Sequence, residues 1–552
     1  MVLARAILGV SLAYATNQLT DDEDFGNRGE ASGDYDLDRE YDEIPEASGD
    51  FQPITNQVLN NPNAKSAEMD EPKNILNALE DDLAAAEQEP KLFLALTLGV
   101  ACLCCLTLLI LLGCHRKHGI SADQQHEVAF EMAASNIRFG EGVTKEVGFD
   151  LKNMGANKVL VFTDANLAKL EPMRVALDSL TKAQVPFEVY DRVLIEPTNE
   201  SMEDAIAFTR NNNFDAFLAV GGGSVMDTAK VANLYKVYPE ADLLDFVNAP
   251  IGKALPVLRA LHPLICVTTT AGTGSETTGV AIFDHVPLQA KTGIGNRAIK
   301  PTLGLIDPLH LKHTPKMVTS FTGFDVLCHA LESYTAIPFK SRPAPSDPKF
   351  RPAYQGSNPV SDIWSLHALR MCEKYFYRAV ADPEDIEARG AMHLASGIAG
   401  IGFGNAGVHL CHGCSYPISG MIKGRGYTPE GYESCGKDLV PHGLSVTITA
   451  PEVFKFTAPG CPDRHLEGAR ALGADTRGIK QADAGFFLAD TVKKYMYDLG
   501  CPDGLGAMGF DSSDVDQLVT GTRPQERVTK LAPRQFTPED LGNIFSNSMK
   551  NY

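Results

Sequence analysis

The stretch "AFLAVGGGSVMDTAKVANLY" (216–235) runs from an apolar, strand-length segment through three glycines into a helix-length segment. A strand that leads directly into a helix needs a crossover before the chain can pair again, which makes the next strand parallel. The same texture recurs. "KVLVFT" (158–163) and "LICVTT" (264–269) are short, β-branched and apolar, and helix-length segments separate them. This alternation predicts an α/β fold with a parallel sheet. After about Asp307-Pro308 the strand signal fades. Helical patterns such as "SDIWSLHALRMCEKYFYRAV" and "DIEARGAMHLASGIAG" then dominate to the end. Two domains are expected: an α/β domain at 129–308 and an all-helical domain at 309–552.

The part before residue 129 has a different composition. Of a net charge of −21 over 552 residues, most lies between Asp21 and Glu89, where 21 acids meet four bases. Such a segment buries too little apolar area to offset chain ordering, so 16–90 is expected to be disordered. Residues 1–15 read as a signal peptide. "LFLALTLGVACLCCLTLLILLGC" (92–114) has no charge over 23 positions and is followed by "HRKH". That predicts one membrane span at 91–114, a linker at 115–128, and the remaining chain on the cytoplasmic side. "EASGD" occurs twice, placing Ser32 and Ser48 in acidic Ser-Gly contexts that resemble proteoglycan attachment sites. Residues 1–118 taken alone therefore read as a membrane-bound interaction protein, and the whole as a composite chain. No Lys/Arg cluster suggests nucleic-acid binding. The eight cysteines from Cys266 to Cys501 are scattered and read as reduced, packed thiols.

Glycine density and hydroxyl density suggest a nucleotide site. Gly221, Gly222 and Gly223 permit close backbone approach, and the following helix presents amides that attract phosphate. Ser224 is placed to cap that helix, with Asp227 three residues on at a capping spacing. "VTTTAGTGSETTGVAIFD" (267–284) adds six threonines after a strand. The glycines do not follow the GxGxxG dinucleotide pattern.

"GFDVLCHALESY" (323–334) places Asp325 and His329 four apart, on one helical face. "GNAGVHLCHGCSYPISG" adds His409 and His412, and "LVPHGLSV" adds His442. Asp325, His329, His412 and His442 compose a carboxylate/imidazole set suited to a divalent metal, iron(II) or zinc, acting as a Lewis acid. The His412-Gly413 and His442-Gly443 steps are expected to leave room for a ligand. His409 is expected to be structural, and Cys411 and Cys414 to be packing residues.

These motifs, with "GGGSVMDTAK", "TTTAGTGSETT", "HLCHGCSYP" and "VPHG" in this order, resemble the iron-containing alcohol dehydrogenase family across 129–552. The resemblance implies a dehydroquinate synthase-like architecture. Asp325, His329, His412 and His442 take the metal positions. Gly222, Gly223, Ser224 and Asp227 take the diphosphate loop, and Thr269, Thr270 and Thr278 the loop beside it. Asp164 falls near the adenosine ribose, favouring NAD over NADP, and Lys291 matches a cofactor-contacting lysine. Many members carry a proton-relay histidine where this chain has Tyr416. A phenol is a poorer base than an imidazole near neutral pH, so the proton route stays open. "AFEMAASNIRFGEGVTKEVG", "RPAYQGSNPVSDIW" and "PQERVTKLAPR" look like the family's transhydrogenase branch. That branch implies small hydroxyacid and oxoacid partners: 4-hydroxybutyrate oxidised and 2-oxoglutarate reduced through tightly bound NAD. It also implies a mitochondrial location and allows a homo-dimer. An ordinary NAD-dependent dehydrogenase with exchanging cofactor is the alternative within the family. The segment "RPAYQGSN" (351–358) offers Arg351 as a candidate anchor for the substrate carboxylates, against the alternative of an ordinary surface residue.

Overall fold

The computed structural model describes residues 126–552, apart from Gln289. The signal peptide, acidic segment, membrane span and most of the linker expected from sequence lie outside the described residues.

Six strands form one parallel sheet. They are β1 (Asn136–Phe139), β2 (Val159–Phe162), β3 (Phe187–Tyr190), β4 (Ala216–Gly221), β5 (Leu264–Thr268) and β8 (Leu303–Ile306), in the spatial order β1-β8-β5-β4-β2-β3. The central strands are buried on both faces, so they read as unbroken apolar runs. Alternate side chains supply two cores. Val159, Val161, Leu218, Val220, Ile265 and Val267 pack with helices α1 (Val147–Asn153) and α2 (Glu171–Ala183). Leu160, Phe162, Phe217, Ala219 and Cys266 pack with α3 (Asn199–Arg210) and α4 (Gly223–Val237). A separate antiparallel hairpin, β6 (Val280–His285) and β7 (Ala290–Gly295), was not anticipated by the parallel pattern. A short helix, α5 (Leu243–Phe246), packs beneath it in a third cluster.

The C-terminal half is helical. Its axis is α6 (Lys316–Thr335), buried almost throughout from Thr319 onward. Around it lie α7 (Pro359–Ala381), α8 (Ile386–Ala406), α9 (Leu410–Met421) and α10 (His442–Thr447), joined by further helices into one core. The chain leaves α6 at Ala336 in an extended conformation, ahead of Ile337-Pro338, where a proline disfavours helix in the residue before it. Residues 126–133 belong by contact to this half: the Glu131 amide donates to Gln355, and the Ala133 amide to Asn405. Among the described residues no single helix is long and apolar enough to cross a membrane. The bent pair α8 and α9 passes on composition alone, and both helices are largely buried in the core.

Arg389 fixes the connection between sheet and helices. It is buried on α8, and its guanidinium donates to the carbonyls of Leu311, Thr314 and Ala379. Replacing Arg389 with Met keeps the apolar stem and removes the donor to the Thr314 and Ala379 carbonyls, while the Leu311 carbonyl keeps the Thr314 amide. Each buried unsatisfied group costs roughly 1–3 kcal/mol. Arg389→Met is therefore expected to lower unfolding stability by at least about 2 kcal/mol, read from denaturant titration of the purified chain.

Candidate active site

Helix α6 presents Asp325, His329 and Glu332 along one stripe, at spacings of four and then three. Asp325 Oδ1 is the meeting point. His329 Nδ1 lies 3.7 Å from it, His412 Nε2 3.6 Å, and His442 Nε2 3.8 Å. The donor atoms of Asp325, His329 and His412 fall within 4.8 Å of one another. Asp325 Oδ1, His329 Nδ1 and His412 Nε2 are all buried and have no hydrogen-bond partner among the described residues. Buried polar atoms are nearly always paired. Three converging orphans from one carboxylate and two imidazoles, with a third imidazole beside them, fit a single divalent cation.

The electrostatics agree with that donor chemistry. Burial pushes the Asp325 carboxyl up, but the imidazoles of His329, His442 and His412 around it outweigh that and hold it at about 2. Burial dominates at His329 and pushes its imidazole down to about 3, keeping a lone pair available.

Glu332, which the sequence reading passed over, completes the arrangement. One carboxylate oxygen pairs with His412 Nδ1. The other accepts the backbone amides of His409 at 3.0 Å and Cys411 at 2.8 Å. The carboxylate thus orients the His412 ring so that Nε2 faces Asp325, and it anchors the start of α9. Burial pushes the Glu332 carboxyl up, while His412 and His409 hold it down at about 2. Its signal was in plain view: an acid three residues after His329 in an otherwise apolar helix. His409 turns away, with Nδ1 accepting from the Leu410 amide and Nε2 paired to Thr335. Cys411 and Cys414 are buried free thiols in the core.

The two His-Gly steps serve packing rather than ligand space. A Cβ on Gly443 would stand 1.8 Å from the Phe321 carbonyl oxygen, so glycine lets α10 lie against α6 and carries His442 to Asp325. A Cβ on Gly413 would meet Thr529 Cγ2 at 2.5 Å.

Asp325, His329, His412 and His442 line one wall of a cavity of about 140 Å³. Gly223, Ser224, Asp227, Thr278 and Lys291 reach it from the α/β half; Tyr354, Tyr416 and Arg527 complete the helical side. Gly222, Thr269, Thr270 and Asp164 are not on its wall. Gly222 is the N-cap position of α4, over Thr270, and the helix start has no side-chain cap. Its leading amides are therefore open to an anion. The capping roles expected for Ser224 and Asp227 are not realised. Ser224 Oγ accepts from the Glu196 amide, and Asp227 accepts from Ser275 Oγ at 2.6 Å and the Ile282 amide at 2.9 Å. Tertiary partners displaced the local one. Asp164 sits past the tip of β2 and accepts the amides of Asn166 and Leu167. Lys291 is ion-paired with Glu196 and with Asp284 at 3.1 Å. Burial lowers its ammonium, but the two carboxylates prevail and raise it. The Tyr416 hydroxyl accepts from Arg527 Nη2 at 3.0 Å, which leaves its own proton free to donate. Arg351 does not serve the cavity. It is bound to Glu127 at 3.0 Å, away from the wall.

Comparison with known proteins accords with this geometry. Residues 134–308 match the family described as iron-containing alcohol dehydrogenase, and 353–426 with 431–549 match the C-terminal part of the Fe-containing alcohol dehydrogenase family.

The chain belongs to the iron-containing alcohol dehydrogenase family.

It is an oxidoreductase. It is 61% identical to the mitochondrial hydroxyacid-oxoacid transhydrogenase of Pongo abelii over 427 residues, which cover 77% of this chain and 91% of that protein. The Homo sapiens protein of the same name is also 61% identical over the same shares. Among solved structures, the alcohol dehydrogenase from Oenococcus oeni aligns with a TM-score of 0.65 at 26% identity, covering 76% of this chain and all of that one. A 1,3-propanediol oxidoreductase, at 24% identity and a TM-score of 0.66, shares the fold over the same share of this chain.

The Gly443 contact yields a test. Gly443→Ala is expected to push α10 off α6, costing about 1–3 kcal/mol from overpacking. A drop in thermal midpoint, with a displaced His442 in a crystal structure of the variant, is the expected result.

Proposed function

We propose that this protein is a hydroxyacid-oxoacid transhydrogenase. It oxidises 4-hydroxybutyrate to succinate semialdehyde and reduces 2-oxoglutarate to 2-hydroxyglutarate through one retained NAD. The observation that carries the reading is the convergence of unpaired buried ligand atoms in the cavity of a chain 61% identical to proteins bearing that name. Asp325, His329, His412 and His442 would hold the cation, iron(II) first and zinc as the substitute. Gly222, Gly223 and the amides near Ser224 would face the cofactor diphosphate. Thr269, Thr270 and Thr278 would flank it, and Asp164 would meet the adenosine ribose. Asp227 holds the Ser275 loop in place beside them. Lys291, already neutralised by two acids, contributes shape and hydrogen bonding more than net charge.

When bound, the nicotinamide would supply hydride acceptance and donation, and the cation would supply Lewis-acid polarisation of the substrate oxygen. The chain's own residues place the reacting groups and manage the proton. Glu332 locks the His412 ring. The Tyr416 hydroxyl has its oxygen engaged by Arg527 and can donate its hydrogen toward the cavity. One half-reaction releases the proton that the other takes up, so the full cycle consumes none. A mitochondrial location follows that of the mitochondrial relatives.

Purified protein given 4-hydroxybutyrate and 2-oxoglutarate, with no added nucleotide, is expected to form 2-hydroxyglutarate. An absolute requirement for added NAD would instead support the exchanging dehydrogenase. Outer carboxylates that orient a metal-binding imidazole are worth roughly 10–100-fold in metal affinity. Glu332→Gln should therefore weaken metal binding about 10–100-fold, measured by chelator competition.

A further inference from the structure

The structure assigns Arg527 as the binding residue for the substrate carboxylate, an assignment that rests on the transhydrogenase reading and names the group that selects its substrates. Among the described residues, two cationic side chains other than histidine line the cavity, Lys291 and Arg527. Lys291 is spoken for by Glu196 and Asp284. Arg527 has no carboxylate partner among the described residues: its polar contact is the Tyr416 hydroxyl, and its side chain stacks 5.1 Å over the Tyr354 ring. Its Nη1 is buried and has no hydrogen-bond partner among the described residues. A guanidinium held between two phenols, on the wall it shares with the Asp325 cluster, is a fork waiting for an anion.

The position is held from behind. Gly413 on α9 lets Thr529 pack closely, and Val528 is fully buried, so the 526–529 turn is seated against the helix that carries His412. The guanidinium and the cation-binding imidazole are thus placed by the same helix. Arg527 falls in "PQERVTKLAPR", a motif whose purpose the metal and nucleotide sites leave unexplained.

The chemistry of the two substrates explains why one arginine suffices. In 4-hydroxybutyrate the carboxylate carbon lies three carbon–carbon bonds from the carbinol carbon. In 2-oxoglutarate the distal carboxylate lies three carbon–carbon bonds from the keto carbon. With the reacting carbon in one place, either carboxylate reaches the same fork. A monofunctional alcohol of equal length lacks that handle.

The test uses the metal- and NAD-loaded enzyme, with 4-hydroxybutyrate compared against butan-1-ol and with glutarate as a non-reacting dicarboxylate. In Arg527→Gln the preference for 4-hydroxybutyrate over butan-1-ol is expected to fall about 100-fold, mainly through KM. Glutarate binding by calorimetry should weaken by a similar factor. Arg527→Lys, which keeps charge without the fork, should recover part of the preference. Equal losses on both alcohols, or glutarate affinity within twofold of the parent in both variants, would overturn the assignment. The two readings fail separately. Glutarate binding that depends on Arg527, without nucleotide-free hydride exchange, removes the transhydrogenase and keeps the anchor. Exchange with glutarate binding indifferent to Arg527 does the reverse.

Discussion

The buried carboxylate of Glu332 is the interaction on which the C-terminal half depends. It sits on α6, accepts the amides that open α9, and holds the His412 ring from a distance of 80 residues in sequence. A buried acid is tolerable only when its acceptor capacity is filled. Here the partners that fill it are the ones that bring His412 to Asp325. The fold and the site are satisfied by the same set of hydrogen bonds, and neither is complete without the other.

Close helix packing then sets distances. Asp325, His329 and Glu332 come from one helix, so their relative positions need nothing but helical periodicity. His412 and His442 come from two others, and each must be delivered by tertiary contact. For His442 the delivery depends on a missing side chain, since anything at Gly443 would strike the Phe321 carbonyl. The parallel sheet makes an independent contribution. Its strand ends gather the uncapped start of α4 and the threonine-rich loop opposite the helical wall.

Much of this was legible in the chain, and the failures have a common cause. The parallel sheet, the helical second half and the gathering of Asp325, His329, His412 and His442 follow from periodicity and from residue types that have few reasons to be buried. The misreadings came where a local spacing rule competed with a distant partner. Asp227 stands three residues after Ser224, as a cap would, but Ser275 and the Ile282 amide claim it. Gly413 and Gly443 looked like space for a ligand because the neighbouring helices could not be seen. Arg351 could be read as an anchor or as a surface charge, and its pairing with Glu127 takes it out of the cavity. Glu332 was missed although it lies in the quoted motif, because an acid on an apolar helix reveals its partner only once α9 is docked. The β6–β7 hairpin lacks the strand–helix alternation that marks the parallel strands in the sequence.

The cavity divides its labour between walls that are remote in sequence: residues up to Lys291 on one side, residues from Asp325 onward on the other. A molecule gripping both walls therefore acts as a strut. By linkage, whatever occupies the gap favours the closed, native arrangement over any state in which the halves separate, in proportion to how tightly it is held. For a cavity built this way, occupancy and endurance against heat become a single property.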